Sequence, residues 1–527
     1  MYKVLVTGKI SEIGLEILKR EKDIETDYRP DYPYQDILKI ISNYDCILSR
    51  SETAITAELI EKGKNLKVIA RAAVGIENID VECATKNGIL VINTPAQNTN
   101  SAAELTMGLL LSATRNLVTA HNKIKSGGWD RHTFTGTELL NKTMGIIGLG
   151  NVGHRVAKFS RGFDMQVIAY DPYLADSRFD ELGVTKVSLE TLLKTSDIVS
   201  LHVPKVKETI GMIGEKEINL MKKNVVLINA ARGGIIVESA LVKALEQKKI
   251  SFACLDTFEV EPMTNEALRK LENVILTPHI GASTNEAQLR IADNIAHQTI
   301  RALRGEIVDS PVNMPKISFM QDSPVRAYTV LTEKLGTLAQ CLSEFNPEKI
   351  TFHYRGELAK EETSLLKLSF LKGFLRNSTD YPVTYVNAER LAESKGIQIC
   401  HENDAGFAAY NSAIKITLSK HGQSMSVGGI VFENKFQRIT LVNEFYFEVE
   451  AEGDLLCIRN NDKPGVVGNI GFCLAKYEIN IQQMDLSSNR KGGQAMSFIS
   501  IDRKLSDEVI NDLKSLPHIL DVRTVSL

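Results

Sequence analysis

Three stretches carry side chains suited to moving a proton and holding an anion: NAARGG with Arg232, LDTFEVEP with Asp256 and Glu261, and TPHIGAS with His279. Each lies at the end of an apolar run, VVLINAA (225–231), SFACLDTF (251–258) and VILTPHI (274–280). A histidine titrates near neutral pH and can act there as a general base. A carboxylate beside it orients the ring and raises its pKa by stabilising the charged form, and Glu261 is the candidate. A guanidinium grips a carboxylate bidentately and polarises the carbonyl next to it, and Arg232 is the candidate. Together they suit oxidation of a 2-hydroxy acid, in which the hydroxyl loses a proton as hydride leaves the same carbon. Taken singly, the three admit other readings: a satisfied loop histidine, a surface salt bridge for Glu261 and a structural anion clamp for Arg232. Their recurrence at successive strand ends, where ligands of open α/β sheets bind, favours chemistry.

A hydride acceptor has its own signature. GLGNVG places Gly148, Gly150 and Gly153 between the apolar strand MGII and the helical HRVAKFSRGF. The first glycine permits the tight turn, the second lets backbone approach a pyrophosphate, and the third allows close helix–strand packing. The helix N-terminus favours the phosphate charge. About twenty residues on, a strand ends in Asp171, placed to accept hydrogen bonds from ribose hydroxyls and to repel a 2′-phosphate. NAD is therefore expected rather than NADP. A glycine turn without a ligand is the competing reading.

These residues need a scaffold. Residues 1–95 alternate the strands KVLVT, CILSR, LKVIARA and ILVINT with helical patterns, and a second such series of six strands runs from 144 to 280. That alternation implies parallel sheets. Ser101, with Glu104 three residues on, is expected to cap a helix buried between domains. A second helix is expected from Asn285 to about Gly305, then a linker, DSPVNMP (309–315). Beyond it come a helix over 324–344, mixed strands including KITFHYRGE and a glycine-containing turn at SVGGIVF. Residues 454–527, with the turns NDKPG and NRKGG, read as βαββαβ, a ferredoxin-like order.

Length and composition set limits. A chain of 527 residues is too long for one core, and about three or four domains are expected. A net charge of −3 argues against a broad nucleic-acid or anionic-membrane surface. The seven scattered cysteines show no metal spacing, so no metal site is expected, and they suit reduced thiols in a cytoplasmic protein. MYKVLVTGKI runs directly into a strand, so no signal peptide is expected. No apolar run of about 18 residues suggests a membrane span.

GLGNVG, NAARGG, LDTFEVEP and TPHIGAS together resemble the D-isomer-specific 2-hydroxyacid dehydrogenases over residues 1–315. The resemblance implies a flavodoxin-like substrate domain, 1–97 and 285–314, with a Rossmann NAD domain inserted at 98–284. It implies Arg232, Glu261 and His279 as the catalytic residues. It implies cofactor contacts at Asn151, Val152, Asp171, Ala230, Ala231, Arg232, Asp256, His279, Gly281 and Ala282. Residues 315–453 resemble the α+β intervening allosteric domain of the family's long phosphoglycerate-oxidising branch, and 454–527 resemble the ACT domain.

That likeness implies 3-phosphoglycerate as substrate, a place in L-serine biosynthesis and a homodimer or homotetramer. Arg50 in LSRSET and Arg71 in IARAAVG are then expected to hold the phosphate, with Val74 and Gly75 beside the substrate. Val74 stands where those relatives usually carry a threonine, so only its backbone can contribute. Asp462 and Asn480 match the positions at which serine-sensitive relatives grip the effector; a purely structural dimerisation module is the competing reading of the tail. Two rival functions stay open: a glyoxylate or hydroxypyruvate reductase, indifferent to Arg50, and an NAD-sensing corepressor-like binding protein.

Overall fold

Short apolar runs separated by helices build two parallel sheets. The computed structural model describes residues 1–314, 324–379, 383–405, 410–489 and 493–527. The first sheet holds β1 (Tyr2–Val6), β2 (Ile24–Tyr28), β3 (Cys46–Ser49), β4 (Val68–Arg71) and β5 (Leu90–Ile92). Its order is β2-β1-β3-β4-β5, a flavodoxin-like winding. The sequence reading missed β2, whose IETDY is mostly polar because it lies at the sheet edge.

The second sheet holds β6 (Thr143–Ile147), β7 (Gln166–Tyr170), β8 (Thr185–Lys186), β9 (Ile198–Leu201), β10 (Val225–Asn229), β11 (Ile250–Leu255) and β12 (Val274–Leu276). The order β12-β11-β10-β9-β6-β7-β8 is doubly wound, with its switch point between β6 and β9. The six expected strands are present, and the two-residue β8 adds an exposed edge.

Two helices carry the chain between these sheets. Thr99–Thr114 buries Met107 and Leu110 against Ile146 and Ile228 of the second sheet. Asn285–Leu303 returns and packs Ile291, Ile295 and Ala296 against Val4, Leu48 and Val68 of the first. Ser101 is not the cap expected of it: Asn98 precedes the helix, and the Ser101 hydroxyl lies 2.7 Å from the Thr284 hydroxyl, joining the two crossings. The segment read as a linker also differs. Val312 N donates to Val91 O (2.8 Å), and Asn313 Oδ1 accepts from Val91 N (2.9 Å). This strap covers the open edge of β5, which would otherwise present unpaired backbone; residue 315 lies outside the described residues.

The remaining chain forms two further sheets. The third joins β13 (Lys349–Gly356), β14 (Gln398–Asp404), β15 (Ser412–Lys420), β16 (Gln423–Phe432), β17 (Phe436–Val442) and β18 (Phe445–Glu450) in the order β14-β13-β15-β16-β17-β18. SVGGIVF is not a turn but part of β16, with a register shift at Gly428/Gly429. A Cβ on Gly429 would lie 2.5 Å from Arg438 O of the next strand and 3.1 Å from Leu331 of the helix Pro324–Leu342, so the glycine admits both neighbours. The same helix crosses Ser364–Leu375 backbone to backbone. Cβ atoms on Gly336 and Gly373 would stand 2.2 Å from Phe370 O and 2.1 Å from Glu333 O.

The fourth sheet holds β19 (Asp454–Asn461), β20 (Ile481–Asn489), β21 (Gln494–Ile501) and β22 (Ile519–Ser526), in the order β20-β21-β19-β22. Helices Val466–Lys476 and Asp507–Ser515 complete a β-α-β-β-α-β order. Residues 490–492 of the NRKGG turn lie outside the described residues. One face of this sheet packs on its helices, while Leu455, Cys457, Met496, Phe498 and Val525 enter the core of the third sheet. Among the described residues no helix is long and apolar enough to cross a membrane.

Candidate active site

The loops after β10, β11 and β12 bring the catalytic candidates to the carboxyl edge of the second sheet. His279 has φ of +53°, in the left-handed region that few non-glycine residues adopt. Asp256, fully buried, holds that backbone in place. Its Oδ1 accepts from the Thr277 hydroxyl (2.6 Å) and Ile280 N (2.8 Å), and its Oδ2 accepts from Gly281 N (2.9 Å). Asp256 thus clamps the histidine loop at the sheet edge where a cofactor contact is expected of it.

His279 Nδ1 lies 2.8 Å from Glu261 Oε2. The bond from Glu261 raises the His279 pKa above its ordinary value, outweighing partial burial. Partial burial works against the Glu261 carboxylate, but the bonds from His279 and from Phe258 N (3.0 Å) prevail and hold its pKa below the usual range. With Nδ1 committed, Nε2 is left for a substrate. The His279 side chain remains 47% exposed, so a substrate can reach it.

Arg232 sits in a loop shaped by Asn229, whose Nδ2 donates to Arg232 O (2.9 Å) and whose Oδ1 accepts from Ala231 N (3.1 Å). Its side chain is only 26% exposed, and Nε donates to Glu77 Oε1 at 2.8 Å. Glu77 comes from the loop after β4 of the first sheet, so this ion pair spans the two sheets.

The nucleotide turn fits a dinucleotide. Gly148 has φ of +91° at the end of β6, and Gly150 precedes the helix Asn151–Arg161, opened by Asn151 and Val152, with no side-chain cap. The first amides of that helix are thereby left for an anion. A Cβ on Gly150 would meet nothing within 4 Å, whereas one on Gly153 would stand 2.1 Å from Gly148 O. The first observation is room for a phosphate, the second is helix–strand packing. Asp171 accepts from Leu149 N (2.9 Å) and Tyr173 N (3.0 Å), fixing an acid beside the turn. Ala230, Ala231 and Ala282 are half-buried at the same edge, and Gly281 is buried beneath it.

The phosphate candidates separate. Arg50 is half-buried, and its Nη1 donates to Lys9 O and Gln288 Oε1, both at 2.8 Å. Gln288 in turn donates to Ala282 O (2.8 Å), which puts Arg50 beside the histidine loop. Arg71 is fully buried within β4 and donates to Arg50 O, to Thr53 O (3.2 Å) and to Asn78 Oδ1 (2.6 Å). Burial lowers its pKa to about 10. It braces the Arg50 loop from behind. Val74 O accepts from Asn93 Nδ2 (2.8 Å), and Gly75 lies under the Glu77 carboxylate. Asp462 and Asn480 are exposed at the end of β19 and just before β20, and no described hydrogen bond joins their side chains.

Comparison with known proteins decides the family. The profile for the D-isomer specific 2-hydroxyacid dehydrogenase NAD binding domain matches residues 107–281, and that for the D-3-phosphoglycerate dehydrogenase intervening domain matches 324–443. D-3-phosphoglycerate dehydrogenase of Methanocaldococcus jannaschii is 39% identical over 528 residues, covering 100% of both chains. This chain belongs to the D-3-phosphoglycerate dehydrogenase family. The Bacillus subtilis member is 36% identical, again over 100% of both chains. A D-lactate dehydrogenase from Aquifex aeolicus, solved with NAD and lactic acid, covers 59% of this chain and all of its own (100%), at 32% identity and a TM-score of 0.53. The chain is accordingly an oxidoreductase carrying that family's NAD domain.

Sequence reading passed over several residues that shape the dehydrogenase site. Glu77 carries no motif, since its partner Arg232 is 155 positions away. Glu238 and Glu259 each accept the other's backbone N–H (2.7 and 2.8 Å), and Asn265 also donates to Glu238 (2.7 Å). This clasp fixes the loop that presents Glu261.

Proposed function

We propose that the protein oxidises 3-phospho-D-glycerate to 3-phosphohydroxypyruvate with NAD, at the head of L-serine biosynthesis, as the names of its full-length relatives support. The observation that carries the mechanism is the His279–Glu261 bond at the same sheet edge as Arg232 and the glycine turn. NAD, when bound, accepts the hydride that leaves the hydroxyl-bearing carbon. His279 Nε2 takes the hydroxyl proton, and Glu261 fixes the ring and stabilises its charged form. Arg232 receives the substrate carboxylate and polarises the forming carbonyl. Arg50 attracts the phosphate, while Arg71 supports it from within the sheet. Gly148, Gly150 and the start of the helix Asn151–Arg161 would hold the pyrophosphate, and Asp171 would hold the ribose.

The same reading takes the four-stranded tail as an ACT-type regulatory unit, with Asp462 and Asn480 exposed for an L-serine effector. It takes the molecule as a cytoplasmic homo-oligomer. The helix Leu117–Lys125 has no buried residue, and Leu117, Val118, Ile124 and the nearby Trp129 are exposed, an apolar surface suited to a second subunit. Substrate comparison tests the proposal. NAD reduction with 3-phosphoglycerate should exceed NADH consumption with glyoxylate or hydroxypyruvate, and L-serine should slow it. Preference for the unphosphorylated acids would assign the site to a reductase, and binding of NAD without turnover would assign it to a sensor.

A further inference from the structure

Glu77 is bonded to Arg232, the proposed seat of the substrate carboxylate. Its Oε1 accepts from Arg232 Nε at 2.8 Å. Its other oxygen lies so close over Gly75 that a Cβ there would be 2.3 Å from it. Gly75 and Glu77 belong to the loop after β4, Arg232 to the loop after β10, so the pair bridges the cleft between the two parallel sheets. The carboxylate also feels His279: although partial burial opposes its charge, its own backbone bond, Arg232 and His279 together keep its pKa below the ordinary range. A side-chain carboxylate is thus held by the guanidinium that a hydroxy acid needs, against a residue with no side chain of its own.

From this we infer that Glu77 is an internal stand-in for the substrate carboxylate, which must release Arg232 before the hydroxy acid binds and so sets the affinity for it. The inference rests on the reading of Arg232 as the carboxylate seat. Glu77 occupies Nε of the Arg232 fork, so a substrate carboxylate that grips this edge bidentately must displace it. Half-exposed Glu77 can swing into solvent, so its competition is modest, of the size of an exposed ion pair.

The test uses the full-length protein saturated with NADH, titrated calorimetrically with 3-phosphoglycerate, alongside steady-state oxidation. Glu77→Gln keeps an oxygen for Arg232 and removes the charge. Its dissociation constant and KM should both fall roughly two- to fivefold, and Glu77→Ala should shift both in the same direction. Unchanged or weaker binding in the two variants would overturn the inference, leaving Glu77 as a brace that points Arg232 at the substrate. Arg232→Ala, titrated in parallel, separates the two failures. Binding that survives that change removes Arg232 as the seat and the stand-in with it. Binding lost in Arg232→Ala but untightened in Glu77→Gln defeats the stand-in alone.

Discussion

In the proposed mechanism the His279–Glu261 pair sets the pH dependence of turnover. Oxidation needs His279 unprotonated, so its rate rises with pH through the His279 pKa, which the bond to Glu261 lifts above the ordinary value. His279→Ala should abolish that limb and slow turnover by about 10² or more. Glu261→Gln should move the limb to lower pH, because the ring loses the carboxylate that favours its charged form. A pH–rate profile of each variant checks both outcomes. The two arginines of the first sheet should part company. Arg50→Ala is expected to raise the KM for 3-phosphoglycerate about tenfold, the equivalent of ~1.4 kcal/mol, while the denaturation midpoint holds. Arg71→Leu strands Arg50 O, Thr53 O and Asn78 Oδ1 and should cost about 2–4 kcal/mol of stability, read by urea unfolding.

The loops that present these residues are fixed by bonds sequence reading could not see. His279, Glu261, Arg232 and the glycine turn were legible because each sits in a short motif at a strand end. Asp256 was legible as an acid but not as a clamp, since its bonded amides lie 24 and 25 positions on and its burial is set by the fold. The Glu238–Glu259 clasp joins residues 21 apart and left no pattern. Glu238→Ala should therefore lower kcat for oxidation by loosening the Glu261 loop, and a reduced His279 pKa in the pH profile would confirm the route. The edge strand β2 escaped notice because polar residues conceal it, and the glycines of β16 were misread as a turn when they sit at a register shift pressed against the neighbouring strands, Gly429 also under a helix. Gly336→Ala would drive a methyl against Phe370 O and should destabilise the helix crossing by about 1–3 kcal/mol.

Across the molecule, the catalytic half is two parallel sheets joined by two crossing helices, while the third and fourth sheets share a core. The rings of Phe447 and Phe498 meet edge to face at 4.9 Å across that junction. Phe498→Ala should lower one joint calorimetric transition of both sheets rather than split them, at a cost of about 3–5 kcal/mol. The edge strand β20 is partly covered, since Tyr446 N of β18 donates to Ser487 Oγ at 3.1 Å. The most direct trial of the whole reading is NADH formation from NAD and 3-phospho-D-glycerate by the intact protein beside its His279→Ala variant. Steady NADH formation by the first and near-silence in the second is the predicted result. Equal rates in both, or no NADH from the intact protein, would contradict it.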